Sequence, residues 1–298
     1  MKIGNILKLV AIALFLTAVS IWVGQLSYGW LPVEAAAESR TIDNVFSLLV
    51  TLGTFIFLGV TGTLMYSVIF HRAEEYDLSD GPHIEGNLTL EIVWTAIPIL
   101  LVFWIAGYSY DAYVKIAIRG PMEMAHHIHV MEPAHAAPIH SKSEIEEIEV
   151  LAKQWAWVFR YPDKNITSTE LHLPVNKRVR LALTSEDVLH GFYIPDFRVK
   201  QDIIPNESID LEFTPIRNGE YRLTDSQFSG TYFATMEANV VVESSEDYLH
   251  WLEVAAKQEP TPAYNQAASE YDRELKHPNP SGWETIAPSA SPIVNYHS

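Results

Sequence analysis

The sequence predicts a membrane-anchored all-β protein, with two or three transmembrane helices followed by a β-sandwich or small barrel. Two observations carry that prediction. The chain is mostly apolar from Leu9 to Tyr110 and polar and acidic after Asp111. From Ile145 onward its apolar residues recur at every second position, the spacing of a half-buried strand. The mean hydropathy of +0.04 over 298 residues is therefore an average of two unlike halves.

Three segments can span a bilayer. Leu9–Val33, Val45–Phe70 and Ile92–Tyr110 contain no charged residue. A hydrocarbon core of roughly 30 Å needs about 20 helical residues, so each is long enough. Gly53, Gly59, Gly62, Thr51, Thr54, Thr61 and Thr63 in the second suit close helix packing in lipid. Trp94, Trp104, Tyr108 and Tyr110 lie toward the ends of the third, where interfacial aromatics belong. The second and third form an expected hairpin over residues 43–112.

The first segment, within residues 1–37, reads two ways. Lys2 and Lys8 precede an apolar run and Ala35-Ala36-Ala37 follows it, the pattern of a signal peptide. Against cleavage stands the distance from the apolar core to those alanines, which favours a retained helix. Lys2, Lys8 and Arg72 place the N-terminus and the hairpin loop in the cytoplasm, although Glu74, Glu75, Asp77 and Asp80 make that loop acidic. The C-terminal half then lies outside.

Residues 113–144 read as a linker. It carries His126, His127, His129, His135 and His140, a composition that fits a solvated spacer better than a fixed metal site. In the β domain, residues 145–244, Ile148, Val150 and Ala152 alternate with polar neighbours, and Trp155, Trp157, Phe159 and Tyr161 continue the alternation. Further strands are expected at 178–184, 208–214, 219–224 and 238–242. Pro174, Pro195, Pro205-Asn206 and Asn218-Gly219 mark the turns between them. Ser244 and Asp247 have capping-box spacing and open a short helix over residues 245–258. Residues 259–298, rich in Pro, Ala, Ser and Asn, read as a disordered tail.

Charge and cysteine content exclude several functions. The formal net charge of −17 repels nucleic acid. With no cysteine there is no disulfide, no thiolate metal site and no lipid-modified N-terminal cysteine.

Four local patterns carry a resemblance. They are Glu91-Ile-Val-Trp94-Thr95-Ala-Ile-Pro98; Gln154-Trp155-Ala-Trp157-Val-Phe159-Arg-Tyr161-Pro162; His190-Gly-Phe-Tyr-Ile-Pro195; and Lys200-Gln201-Asp202-Ile-Ile-Pro205. In this order, over residues 43–256, they resemble subunit II of haem-copper terminal oxidases. That family joins a transmembrane hairpin to a cupredoxin-like domain. The extra first helix most resembles cyanobacterial members.

The resemblance implies a site and a departure from it. Copper-containing members hold two copper ions with a histidine, then Cys-x-x-x-Cys-x-x-x-His-x-x-Met. Bridging thiolates suit that soft, electron-delocalising centre. Here the stretch Asp225-Ser-Gln-Phe-Ser-Gly-Thr-Tyr-Phe-Ala-Thr-Met236 keeps the spacing without a gap. His190 and Met236 remain, Asp225 and Ser229 stand at the cysteines, Phe233 at the second histidine, and Gln227 at the family's glutamate. The resemblance thus implies no metal or cofactor in this chain, with haem and copper in subunit I.

Electrons are then expected to reach subunit I from membrane quinol, as in the cyanobacterial alternative respiratory terminal oxidase. Subunit I and subunit III are the implied partners, in a plasma or thylakoid membrane. Glu91 matches a carboxylate at the mouth of a proton pathway. Trp155 and Trp157 match the aromatic strand where cytochrome c delivers electrons in copper-containing relatives. Two other readings are weighed: a cytochrome c oxidase subunit with a degenerate copper relay, and a membrane-anchored domain for copper delivery or protein interaction.

Overall fold

A computed structural model of the chain describes residues 3–72, 86–116, 118–119, 145–276 and 285–297. The histidines of the linker lie outside the described residues. Two compact units emerge. One comprises Met1–Leu31 and Thr41–Tyr113; the other comprises Pro32–Arg40 and Val114–Ser298.

The first unit is helical: α1 (Ile3–Leu26), α2 (Ser39–Phe70) and α3 (Leu88–Ile116). All three are long and apolar enough to cross a membrane. A helix satisfies its own backbone, which lipid cannot do. Side-chain hydroxyls follow the same rule, since Thr17, Ser20, Thr51 and Thr63 each donate to the carbonyl four residues earlier. Gly24 lets α1 approach α2, because a Cβ there would collide with Thr51 Oγ1. Ser47 Oγ donates to the Gly24 carbonyl at 2.7 Å in the same contact. Asn87 caps α3, its Oδ1 accepting from Thr89 N at 3.1 Å and Leu90 N at 3.2 Å.

The second unit contains two sheets around one core. Its strands are β1 (Ile118–Arg119), β2 (Ile145–Lys153), β3 (Ala156–Tyr161), β4 (Ile166–Ser168), β5 (Leu171–Pro174) and β6 (Arg178–Ser185). Then come β7 (His190–Ile194), β8 (Val199–Ile203), β9 (Ile209–Phe213), β10 (Gly219–Asp225) and β11 (Glu237–Glu243). One sheet has the order β1-β9-β6-β2-β3-β4, the other β5-β11-β10-β7-β8. The pairs β2–β6 and β5–β11 are parallel. The remaining pairs within these two sheets are antiparallel. The architecture is the expected one: apolar helices followed by a two-sheet, cupredoxin-like β domain.

Alternation dictates which side chains enter the core. Along β6, Val179, Leu181 and Leu183 are fully buried and their neighbours are not. On β3, Trp157, Phe159 and Tyr161 do the same. Trp155 lies in the turn between β2 and β3, outside the strand on which its alternation placed it. The strands β5 and β7 escape a periodicity search because both are buried on both faces; β5 is buried at every position.

After β11, Ser244 Oγ accepts from Asp247 N at 3.1 Å and opens α4 (Ser245–Ala255), as the capping spacing predicts. Composition suggests a disordered tail over residues 259–298, but the described residues of that stretch, 259–276 and 285–297, carry regular elements. They form β12 (Thr261–Pro262), α5 (Gln266–Lys276) and β13 (Ile293–Val294), with β12 and β13 paired. A few anchors suffice. Ala263, Ala267 and Val294 are buried, Tyr232 donates to Glu274 Oε2 at 2.6 Å, and Thr167 N donates to Asn295 Oδ1 at 3.0 Å. Averaged composition hides such sparse contacts. Pro32–Arg40 groups with the β unit.

Candidate functional site

The positions from His190 to Met236 converge at one end of the β5-β11-β10-β7-β8 sheet. His190 opens β7 and Asp225 closes β10, with Asp225 in register with Phe192. Gln227 and Ser229 occupy the following loop. Phe233 begins a single 3-10 turn, and Met236 directly precedes β11. Met236 is buried, and its carbonyl accepts from Asp225 N at 3.0 Å and Trp157 Nε1 at 3.2 Å. Phe233 is half-buried, edge-on to the exposed Phe228 at 5.2 Å.

At the centre is a buried ion pair. His190 Nδ1 and Asp225 Oδ2 lie 2.7 Å apart, with both side chains 0% exposed. His190 Nε2 meets Asp187 Oδ1 at 3.0 Å. Ionised carboxylates only accept, so a ring bonded to one at each nitrogen must carry two protons. With both carboxylates ionised, the ring is an imidazolium. Burial alone would lower the His190 pKa, but the hydrogen bonds to Asp225 and Asp187 outweigh it and hold the pKa above its ordinary value.

Asp225 is saturated as an acceptor. Oδ1 takes Gly191 N at 2.7 Å and Gln227 N at 3.0 Å. Oδ2 takes His190 and, at 2.7 Å, Ser229 Oγ. Burial pushes the carboxyl pKa up. The donors from His190, Gly191, Gln227 and Ser229 reverse that and hold it below the usual carboxylate range.

The surrounding shell fixes this geometry. Asp187 Oδ2 accepts from Gln154 N at 2.7 Å. Gln154 Nε2 and Trp155 Nε1 both donate to the Ser229 carbonyl, at 2.6 and 3.2 Å. Gln227 Nε2 donates to Asp202 Oδ1 at 2.9 Å. Trp155 and Trp157 are both 2% exposed, Trp155 edge-on to Tyr232 and Trp157 edge-on to His190. Gly191 has no room for a side chain. A Cβ there would collide with Ser226 Oγ and stand 2.9 Å from Gln227 N.

Sequence pattern alone assigns no role to Asp187 or Asp202. Asp187 carries a faint signal, an acid three residues before His190; Asp202 lies within Lys200-Gln201-Asp202-Ile-Ile-Pro205 with no spacing that ties it to the site. Glu91 belongs to the membrane unit, in the first turn of α3 beside the Asn87 cap, and is exposed. Its carboxylate reaches back over Gly86, whose added Cβ would lie 2.5 Å from Glu91 Oε1.

The donor set does not fit a dinuclear copper centre. Such a centre needs bridging thiolates, and the chain has no cysteine. The nitrogen and oxygen atoms at the corresponding positions already satisfy one another. Among the described residues no group of three or more His, Cys, Asp or Glu side chains is arranged to hold a metal ion.

Comparison with known proteins agrees with this frame. Residues 20–112 match the family described as cytochrome C oxidase subunit II, transmembrane domain, and residues 166–245 match its periplasmic domain. Cytochrome c oxidase subunit 2 of Synechocystis sp. is 34% identical over 292 residues, covering 90% of this chain and 87% of that one. The same-named protein of Thermostichus vulcanus is 34% identical over 266 residues, covering 79% and 81%. Quinol oxidase subunit 2 of Bacillus subtilis is 25% identical over 218 residues, covering 72% and 63%. The chain belongs to the cytochrome c oxidase subunit II family, and is the integral-membrane second subunit of a haem-copper terminal oxidase, partner to subunit I, with its β domain on the periplasmic side.

Proposed function

We propose that this subunit serves a quinol-oxidising terminal oxidase and carries no copper of its own. One observation carries the reading: where a copper centre would need two thiolates and two imidazoles, the chain places a buried His190–Asp225 ion pair closed by Ser229. A site that binds and releases an electron needs a group whose oxidation state can change. An imidazolium, a carboxylate, a hydroxyl and two backbone amides hold the frame instead. Electrons then pass from membrane quinol into subunit I, where the haem and copper reside, and the β domain is structural. By resemblance the complex is the cyanobacterial alternative respiratory terminal oxidase, in the plasma or thylakoid membrane, with subunit III as a further partner.

Glu91 supplies the second part of the proposal. An ionisable residue at the mouth of a membrane helix is a candidate for proton uptake. Its place in the first turn of α3 leaves it exposed and able to exchange protons with water.

A second reading has specific support. The two relatives at 34% identity are named cytochrome c oxidase subunit 2, whereas the quinol oxidase relative is 25% identical. Overall identity reports shared frame and ancestry, while electron input turns on a handful of side chains. Oxygen consumption by the purified complex separates the two readings. Turnover with a quinol and none with reduced cytochrome c is the expected result. A stoichiometric dinuclear copper absorption in the near infrared would overturn the proposal.

A further inference from the structure

The segment between α1 and α2 is built into the β domain. Ala35 N donates to the Asp196 carbonyl at 3.1 Å, and the Ala35 carbonyl accepts from Ile216 N at 2.9 Å. Ala37 N donates to the Thr214 carbonyl at 2.9 Å, and Ala36 bridges antiparallel to Pro215. These bonds make the segment an added edge beside the chain that follows β9. Ala35, Ala36 and Ser39 are fully buried.

Charge locks the same edge. Glu38 Oε2 accepts from Thr214 N at 3.0 Å, and Glu38 Oε1 accepts from Arg178 Nη1 at 3.1 Å. Arg178 in turn holds Glu212 of β9 at 3.1 Å. Arg198 donates through Nη2 to the Pro32 carbonyl. The contacts therefore run from Pro32 to Ser39, on both sides of the alanines that have the form of a peptidase site.

We infer that Pro32–Arg40 is an integral edge of the periplasmic domain and that the mature chain keeps this segment, with no cleavage after Ala37. Cleavage after Ala37 would remove Ala35 and Ala36 from the core and expose the backbone groups of Asp196, Thr214 and Ile216. A signal peptide has no folded-state role, and this segment has one. The same placement puts the α1–α2 connection on the side of the membrane that holds the β domain.

Two substitutions in the full chain, assembled in its complex, test the inference. Ala37 is exposed, so Ala37→Asp leaves the fold intact while abolishing the small residue a signal peptidase requires. Intact mass of the wild-type and Ala37→Asp subunits should show the Pro32–Arg40 segment present in both. A wild-type chain beginning at Glu38, lengthened by the substitution, would overturn the inference. Ala36→Asp places a charge in the core and should lower the thermal midpoint of the β domain by several degrees. An unchanged midpoint would show that the folded domain does not use this edge, and would equally overturn it. Neither readout depends on the electron donor.

Discussion

His190 and Asp225, 35 residues apart in sequence, meet at 2.7 Å in a pocket where neither side chain touches solvent. Two charges taken out of water together are tolerable; one alone is not. Removing one partner of a buried pair typically costs ~3–5 kcal/mol. Asp225→Ala should destabilise the β domain by that order, because it also strands Gly191 N, Gln227 N and Ser229. The double variant His190→Leu/Asp225→Ala should recover part of the loss. Denaturant midpoints of the four species form the cycle. Additive losses would show that the pair is not coupled.

The same pair should shape stability against pH. For His190 the folded pKa lies above the unfolded one. Its contribution is therefore complete below about pH 6.5 and fades as pH climbs through the folded value. For Asp225 the folded pKa lies below the unfolded one. Its contribution is complete above about pH 3.9 and fades as pH falls through the folded value. The pair stabilises most between those limits. Subtracting the thermal midpoints of the double variant from those of the wild type, pH by pH, should show this plateau. A flat difference would remove the imidazolium from the account.

If the spacing from His190 to Met236 is the ligand register of the copper-binding members, it should be possible to refill it. Asp225→Cys, Gln227→Glu, Ser229→Cys and Phe233→His together should create a site that binds two copper ions and absorbs in the near infrared. A folded quadruple variant that binds no copper would refute the register. Asp225→Cys alone should instead destabilise, since it leaves His190 facing Asp187 without its stronger partner.

Gly191 is required by the loop it touches. A methyl group there meets Ser226 Oγ and the Gln227 amide. Gly191→Ala should cost ~1–3 kcal/mol, the usual range for overpacking. It should also displace the Gln227 and Gly191 donors from Asp225. Urea unfolding of the β domain would measure the cost, and wild-type stability would show that the loop yields freely.

Glu91→Gln should slow oxygen reduction by the assembled complex several-fold and leave β-domain stability unchanged. Glu91→Asp should retain part of the rate. Full turnover in Glu91→Gln would assign the carboxylate to the helix terminus alone.

Much of the fold is legible wherever burial has a period. The three apolar helices and strands β6 and β9–β11 follow from runs and alternation. Strands β5 and β7 do not, because burial on both faces erases the period. The elements β12, α5 and β13 do not either, since Ala263, Ala267 and Val294 are too sparse to lift an average. At the candidate site, counting from His190 to Met236 finds the positions but not their partners. Asp187 comes from the turn before β7 and Gln154 from the turn after β2, and only the folded sheet brings them to the imidazole and the Ser229 carbonyl.

The edge formed by Pro32–Arg40 also sets the order in which this domain can be finished. Ser39 bonds a residue 157 positions later, and Glu38 reaches one 176 positions later. During synthesis that edge emerges first and must wait until Thr214 has crossed the membrane. Contacts of such long sequence separation are slow to close. Two membrane crossings, α2 and α3, separate that edge from the rest of the β domain in sequence, so both must be made before the edge can close. Membrane insertion is thus a folding step for the β domain, and its completion is timed by the last strands to be translocated.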